Sequence, residues 1–539
     1  MEATSPETPA CSPNILLILC DDMGFSDIGC FGGEIATPHL DRLAADGVRM
    51  SSVYNSARCC PSRASLLTGL HPHQAGVGHM IQSLPHPGYQ GYLREDTATL
   101  AEVLGQAGYF TGYSGKWHSG GQWPRATGDA QRWRFDDPTH PTPMSRGFKA
   151  FYGNLAGGGS YFNIHLADQN GLLDLPENFY TTDNYTSAAI DMMSRACSEQ
   201  RPFFVHLCYN APHWPLHARD QDMETYRGTY RQGWDAVRTA RHERLKSLGI
   251  VDPKWQISPR DEQAHPWSDE THPDWEDARM AAYAAMVDRV DQNVGRMIEH
   301  LQRSGQLDNT LILFLSDNGG CAEPLGLDKR AMEIQTTRDG AAMQWGNIRG
   351  LTPGAPDTFM SYDLPWANAS NAPFRRFKHW VHEGGISTPF VAHWPGRLAA
   401  GAVRHEAAHL VDIVATIYEA AGVAYPDARD GHPIQPLEGE SFLPLLEGRP
   451  WERSEPIAIE HEGNRALRHG NLKLVSAHPG DWELYDMQND RTELHDLAPR
   501  HPSQVRQMAA LYNDWATRCG VLPWDEVRRL RQGGRPGPR

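Results

Sequence analysis

The chain contains no apolar run of the about 18 residues that a membrane-crossing helix needs, which excludes a helical membrane span. It also lacks a basic surplus. Lys and Arg number 50 against 66 Asp and Glu, a net charge of −16. A nucleic-acid partner is therefore not expected, because neutralising phosphates needs a basic surface. Cysteine is sparse and odd in number, nine in 539 residues and scattered, so no disulfide framework is implied. No internal repeat is present. The opening "MEATSPETPACSPN" is acidic and polar, without the basic n-region of a secretory signal, and "ILLILC" is too short to be anything but a buried strand. This predicts a cytoplasmic protein, or a periplasmic or secreted one if the N-terminus has been trimmed. What is present is globular composition, 40% apolar and 22% charged, at a length suited to one large α/β domain plus a smaller one.

Four segments share a pattern: "NILLILC" before Asp21-Asp22, "YFTGYS" before "GKWH", "PFFVHLC" before "YNAPH" and "TLILFLS" before "DNGG". Each is a short apolar or aromatic run that stops abruptly at polar residues. Strands buried on both faces belong to a mostly parallel sheet covered by helices. Such sheets collect ligands beyond the carboxyl ends of their strands, where all four polar clusters lie. Helices fit between: Thr37-Pro38 caps one that stops at a glycine, "TATLAEVLGQAGY" gives a second, and the segment from Met280 to Gly305 a long amphipathic third. The predicted fold class is α/β, with a large central sheet at 13–424 and a smaller C-terminal subdomain of antiparallel strands plus a helix at 425–520. The stretches 218–278 and 321–372 are polar and rich in Trp, Pro and Gly, and read as lid-like insertions. The basic, Gly- and Pro-rich tail 521–539 is expected to be disordered.

The strand ends carry the chemistry. Asp21, Asp22, Asp317 and Asn318 offer three carboxylates and an amide oxygen, hard donors suited to Ca2+ or Mg2+. Taken alone, "DD" also fits a helix cap or a turn. Lys116, His118 and His213 follow two further strands and face the same crevice. In "RCCPSRASLLTG", Pro61 suits the first turn of a helix and Gly69 its end, which places Cys59 just before a helix N-terminus that favours an anion or a thiolate. A packed thiol and a thiol nucleophile both remain open on these grounds, and no Cys–His–Asn partner set accompanies the second.

The same stretch resembles the C-x-P-S-R-x-x-x-x-T-G signature of the type I sulfatases, arylsulfatase-like members of the alkaline phosphatase superfamily. In register, Cys59 takes the first position, Cys60 the variable one, and Pro61, Ser62, Arg63, Thr68 and Gly69 follow. Placing Cys60 first would put Ser62 where the proline belongs. "CDDMGFSDIGCFGGEIATPHLDRLA", "GKWH", "APHWPLHA", "SDNGG" and "FKHWVHEGGISTPF" resemble the remaining active-site segments in the family's order, and the likeness runs from residue 13 to about residue 500. Departures are small: "EGGISTP" lacks an arginine common there, and Ser119 follows "GKWH".

The resemblance implies an alkaline-phosphatase-like fold and hydrolysis of sulfate monoesters. It implies that a formylglycine-generating maturation enzyme converts Cys59 to 3-oxoalanine, and that Asp21, Asp22, Asp317, Asn318 and the modified Cys59 bind a cation, Ca2+ ahead of Mg2+. Arg63 would hold the aldehyde hydrate, and Lys116, His213 and Lys378 would bind sulfuryl oxygens. His118 would act as base, and His213 or Lys378 as proton donor to the leaving oxygen. Lys378 is preferred over Arg375 and Arg376 by its spacing to Glu383-Gly384-Gly385, and Asp27, Glu34 and Trp117 are read as structural. One rival is a phosphonate or phosphodiester hydrolase, which typically carries Asp-His where this chain has Asp317-Asn318. The other is a non-catalytic binder of sulfated ligands, should Cys59 stay a thiol. The substrate is a sulfated small molecule or saccharide, with Trp214, Trp345 and Trp366 as candidates to stack on its ring or sugar face.

Overall fold

A computed structural model describes residues 12–121, 137–326 and 334–533. In chain order the first strands are β1 (Asn14–Asp21), β2 (Val48–Tyr54), β3 (Phe110–Lys116), β4 (Ala150–Asn154), β5 (Leu166–Asp168), β6 (Gly171–Leu173), β7 (Phe203–Pro212) and β8 (Thr310–Ser316). A short pair β9 (Gln344–Trp345) and β10 (Thr358–Phe359) follows, then β11 (Ser387–His393), β12 (Ala402–Arg404) and β13 (Ala408–His409). The main sheet runs β12-β2-β11-β8-β1-β7-β3-β4-β5-β6, with β13 also on β2. Its centre, β8-β1-β7-β3-β4, is parallel throughout. β11 is antiparallel to both its neighbours.

Every residue of β1 is buried, as expected for a strand covered on both sides. Leu16 and Ile18 belong to the core on one face, under α1 (Pro38–Ala45), α4 (Thr181–Ser198) and α7 (Pro273–Arg303). Ile15, Leu17 and Leu19 point the other way, to the core under α2 (Cys59–Thr68), α3 (Leu100–Gln106) and α10 (Leu410–Ala421). This alternation holds one parallel sheet rigidly between two helical layers, so the ends of β1, β3, β7 and β8 are fixed relative to one another. Thr99 begins α3 with a reciprocal capping box to Glu102.

Several expectations need correction. The stretch 218–278 holds α5 (Asp220–Glu224) and α6 (Gly233–Ser247), and it is part of the core. Trp234 is fully buried and packs edge-on to Trp267 and Trp366. Its apolar positions are diluted by arginines that pair internally, which hides the helical period from a hydropathy reading. Trp366, on α8 (Asp363–Ser370), is likewise buried and cannot stack on a substrate. Residues 327–333 of the second insertion lie outside the described residues. The helix read from Met280 starts about two turns earlier, at Pro273, where His272 is the N-cap.

After α9 (Glu383–Ile386) and α10, a short hairpin β14 (Ala428–Arg429) and β15 (His432–Pro433) leads to α11 (Leu443–Leu446). Phe442, Leu443 and Leu446 pack into the core of the main sheet. The antiparallel sheet β16 (Ile457–His461), β17 (Asn464–His469), β18 (Leu472–Ser476) and β19 (Glu483–Asp486) is covered by α12 (Pro502–Cys519) through Met508, Tyr512 and Trp515. Part of the tail is ordered: α13 spans Trp524–Gly533 and buries Val527 against Leu84 and Tyr89. Its basic composition masked an apolar stripe of Val527 and Leu530. Residues 534–539 lie outside the described residues, as do 1–11 and 122–136. Among the described residues no disulfide forms, and no helix is long and apolar enough to cross a membrane.

Candidate active site

The sheet brings the sequence-predicted residues together at one edge. Asp21 ends β1 and Lys116 ends β3, and these two side chains form a fully buried ion pair. Asp317 and Asn318 follow β8, Cys59 and Arg63 lie in the first turns of α2, and Lys378 comes from the loop before α9. All ten predicted side chains are buried, the most open being His213 at 7%.

Arg63 organises the centre. Its Nε and Nη2 donate to Asp317 Oδ2 at 3.0 and 2.8 Å, and its Nη1 donates to the Lys116 carbonyl at 2.9 Å. Asp22 turns out of β1 in the left-handed region, φ 66°, which Asp tolerates better than most residues. That turn lets its amide donate to Asp317 Oδ1 at 3.3 Å while its carboxylate accepts from Asn318 Nδ2 at 2.7 Å and meets Lys378 Nζ at 2.8 Å. His213 Nε2 stands 3.5 Å from the same carboxylate. Its ring is set from behind: Nδ1 lies 2.6 Å from the Trp214 carbonyl, which accepts its proton.

Three carboxylates so close repel one another. Burial opposes ionisation of Asp21, yet Lys116, His213 and Arg63 together pull its pKa down to about 2. Burial and the Asp21 charge push Asp317 well up in spite of Arg63. Lys116, Lys378 and Arg63 match the three carboxylates in number, so unpartnered oxygens, not an uncompensated charge, mark the place for an ion. Two buried acceptors, Asp21 Oδ1 and Asn318 Oδ1, have no hydrogen-bond partner. Orphaned oxygens among carboxylates fit a hard cation, and Asp21, Asp22, Asp317 and Asn318 would hold it.

Cys59 opens α2 as its first residue, with Arg58 as N-cap, one position further into the helix than the sequence reading placed it. A hydrogen bond from Cys60 lowers the Cys59 pKa well below the ordinary thiol range; burial opposes this, and Lys116, His118 and Lys378 add to it. Burial, then the contact with Cys59, pushes Cys60 up. His118 Nε2 lies 3.2 Å from Cys60 Sγ. Burial brings the His118 pKa down to about 4, so the imidazole is neutral. Gly157 makes room for it: a Cβ there would lie 2.3 Å from His118 Nε2.

Sequence reasoning missed a second layer. Arg58 pairs with Glu323 at 2.8 Å, and Trp214 Nε1 donates to the same carboxylate at 3.0 Å. Only adjacence to Cys59 and to "SDNGG" could have flagged these two. Trp345 is buried and stacked on Phe359, leaving Trp214 the half-exposed member of the three tryptophans. Asp27, Glu34 and Trp117 are structural, the first two clamped by Arg241 at 2.6 and 2.7 Å.

Comparison with known proteins identifies the family. The family model "Sulfatase" matches residues 13–423, and "N-sulphoglucosamine sulphohydrolase, C-terminal" matches 374–513. An uncharacterized sulfatase of Schizosaccharomyces pombe is 32% identical over 95% of this chain and 94% of its own length. An arylsulfatase of Klebsiella aerogenes is 33% identical over 80% of this chain and 91% of its own. Among solved structures, Ps i-CgsB in complex with k-i-k-neocarrahexaose superposes with a TM-score of 0.66 at 26% identity, covering 94% of this chain and 93% of that one. Membership of the sulfatase family implies a bound metal ion and a formylglycine made from cysteine. The chain belongs to the sulfatase family, and it is a sulfuric ester hydrolase of the alkaline phosphatase superfamily.

Proposed function

We propose that position 59, as formylglycine, and a Ca2+ ion among Asp21, Asp22, Asp317 and Asn318 form the catalytic centre, and that the substrate is a sulfate monoester of a hydroxyl-rich alcohol such as a saccharide. The observation that carries the reading is the pair of orphaned buried oxygens, Asp21 Oδ1 and Asn318 Oδ1, inside a ring of Lys116, Lys378, His213 and Arg63. When present, the ion supplies Lewis acidity and the aldehyde hydrate supplies the attacking oxygen. The all-oxygen donor set favours Ca2+ over softer ions.

The chain's own groups do the rest. Arg63 fixes Asp317 and the end of β3, and so the position of both against α2. Lys116 and Lys378 place two ammonium groups, and His213 an imidazole, where the sulfuryl oxygens lie, and they stabilise the charge that develops there. Neutral His118 holds a proton taken from position 59. His213, with Nδ1 bonded to a carbonyl, presents Nε2 to the leaving oxygen. Maturation needs a formylglycine-generating enzyme as partner. The wall beside Cys59 is the Arg58–Glu323 pair with the Trp214 indole, which suits hydroxyl groups on the leaving group better than a bare aryl ring. The complex of Ps i-CgsB with k-i-k-neocarrahexaose supports the same choice. An Asp-Asn pair in place of Asp-His argues against a phosphonate or phosphodiester substrate.

The test is to express the chain with a formylglycine-generating enzyme and weigh the peptide that carries Cys59. Conversion of thiol to aldehyde is expected, together with hydrolysis that is abolished by Cys59→Ala and by chelation and restored by Ca2+. Sulfated saccharides are expected to give a higher kcat/KM than 4-nitrophenyl sulfate. Wild-type turnover by Cys59→Ala would refute the nucleophile, and a preference for the aryl ester would refute the leaving-group assignment.

A further inference from the structure

Next to the active site lies a second cluster that the reaction does not use. β16 and β17 are joined by the two-residue turn Glu462-Gly463, both in the left-handed region with φ 51° and 83°, a type I′ geometry. The turn sets His461 and Glu462 against His379, which is itself held at φ 87° while its amide donates to the Ala57 carbonyl at 2.9 Å. A histidine at that φ is strained, and the strain is retained where the surroundings dictate it. His379 Nδ1 lies 3.0 Å from Glu462 Oε2, and His461 Nε2 lies 4.0 Å from Glu462 Oε1. One ligand atom from each of the three residues falls within 4.8 Å of the other two.

An ordinary ion cluster explains only part of this. Glu462 already has two imidazole partners, His379 and His79, whose Nε2 is 2.6 Å from Oε1. His461 is then left over. It is fully buried, its ring stacks on His79 at 5.7 Å, and neither of its nitrogens has a hydrogen-bond partner. Buried imidazoles are ordinarily satisfied, so an unpartnered one facing a carboxylate and another imidazole calls for a ligand.

We propose that His379, His461 and Glu462 form a second metal site, separate from the catalytic cation, that takes a zinc-like ion. Two imidazoles and one carboxylate suit zinc, and three protein ligands leave a coordination position open for an oxygen donor. His79 acts from outside, fixing the Glu462 carboxylate from its far side, as outer-shell partners of metal ligands do. The site adjoins Arg58, the residue before Cys59, whose charge acts on both His461 and Glu462. The proposal does not depend on the substrate or nucleophile argued above.

The test uses the full chain after maturation, so that Cys59 offers no thiol, saturated with Ca2+ and then equilibrated with Zn2+. Metal analysis after gel filtration is expected to find one zinc per chain, lost in His461→Ala and in Glu462→Gln. His79→Gln is expected to keep the stoichiometry and weaken affinity about 10- to 100-fold. With Co2+ as probe, the visible bands of a nitrogen- and oxygen-ligated ion are expected, without thiolate charge transfer. Absence of a bound zinc, its retention in both variants, or a thiolate signature pointing to Cys60 and His118 would each overturn the site. Unchanged circular dichroism and calcium binding identify folded variants, and His379→Gln replaces any that fails to fold.

Discussion

Replacing Arg241 by methionine tests whether the insertion at 218–278 is a lid or part of the frame. Arg241 lies on α6 with its side chain fully buried, donating from Nη1 to Asp27 at 2.6 Å and from Nε and Nη2 to Glu34 at 2.8 and 2.7 Å. Asp27 in turn accepts from the Gly24 amide at 2.7 Å and the Tyr283 hydroxyl at 2.6 Å, which ties down the loop just after Asp21-Asp22. Removing one partner of a buried pair costs about 3–5 kcal/mol, because the other charge stays buried. At about 1.4 kcal/mol per tenfold, the unfolding constant rises more than about a hundredfold. The pH dependence separates this from lost packing. Burial already raises the Asp27 pKa, and Arg241 restrains it, so the variant raises it further. A raised carboxylate contributes stability that is present below its unfolded pKa of about 3.9 and lost as pH rises through the folded value. Glu34 is held low by Arg241 against burial, and that contribution is present above its unfolded pKa of about 4.3 and lost as pH falls. Both effects make the deficit of Arg241→Met largest at neutral pH and smaller towards pH of about 4. Urea unfolding followed by the fluorescence of Trp234, Trp267 and Trp366 reads it, and adding Asp27→Asn is expected to recover part. A deficit below about 1 kcal/mol at neutral pH, or one independent of pH, would refute the clamp.

Three further outcomes are expected. Lys378→Met, which removes a buried ammonium 2.8 Å from Asp22, is expected to lower kcat on sulfate esters about 10²- to 10³-fold while calcium still binds; a smaller loss would remove Lys378 from the charge-stabilising set. Burial raises Asp291 to about 7 although the Leu40 and His39 amides donate to it, so the wild type is expected to lose stability as pH rises from about 4 to about 7, and Asp291→Asn to flatten the Tm profile over that range. Deleting residues 524–539 uncovers Leu84 and Tyr89 and removes Val527, worth about 1.5–3 kcal/mol, so a lower Tm is expected; an unchanged Tm would mean that α13 contributes nothing by docking.

What was legible in the sequence was what a strand states locally. "NILLILC", "PFFVHLC" and "TLILFLS" announce burial on both faces by their own composition, and a parallel sheet then forces their polar ends to one edge. Asp21, Lys116, His213 and Asp317 could thus be placed together before any coordinates, and the signature at Cys59 added the helix that faces them. The hidden parts are those in which charge is neutralised at a distance. α6 is rich in arginine and reads as solvated, because its partners Asp27 and Glu34 stand more than 200 residues away in the chain. The stretch around Trp366 reads as a sugar-binding wall because tryptophan marks both wet platforms and dry cores, and only packing on Trp234 and Trp267 decides between them.

The same physics explains why the second metal cluster has no sequence signal. His379 comes from the loop between α8 and α9, the His461-Glu462 turn from the C-terminal sheet, and His79 from a third loop. None has ligand spacing to any other, and 26 histidines give no reason to choose these. The turn, however, is specified locally. A two-residue link with both φ values positive demands glycine at one position and tolerates Glu462 at the other only at a cost. Glu462 and His379 are both held in left-handed backbone conformations at the point where they meet. Strain borne by two residues to bring a carboxylate beside an unpartnered buried imidazole is better explained by a bound ion than by the contacts of Glu462 alone, since His79 and His379 already reach that carboxylate and leave His461 without a partner.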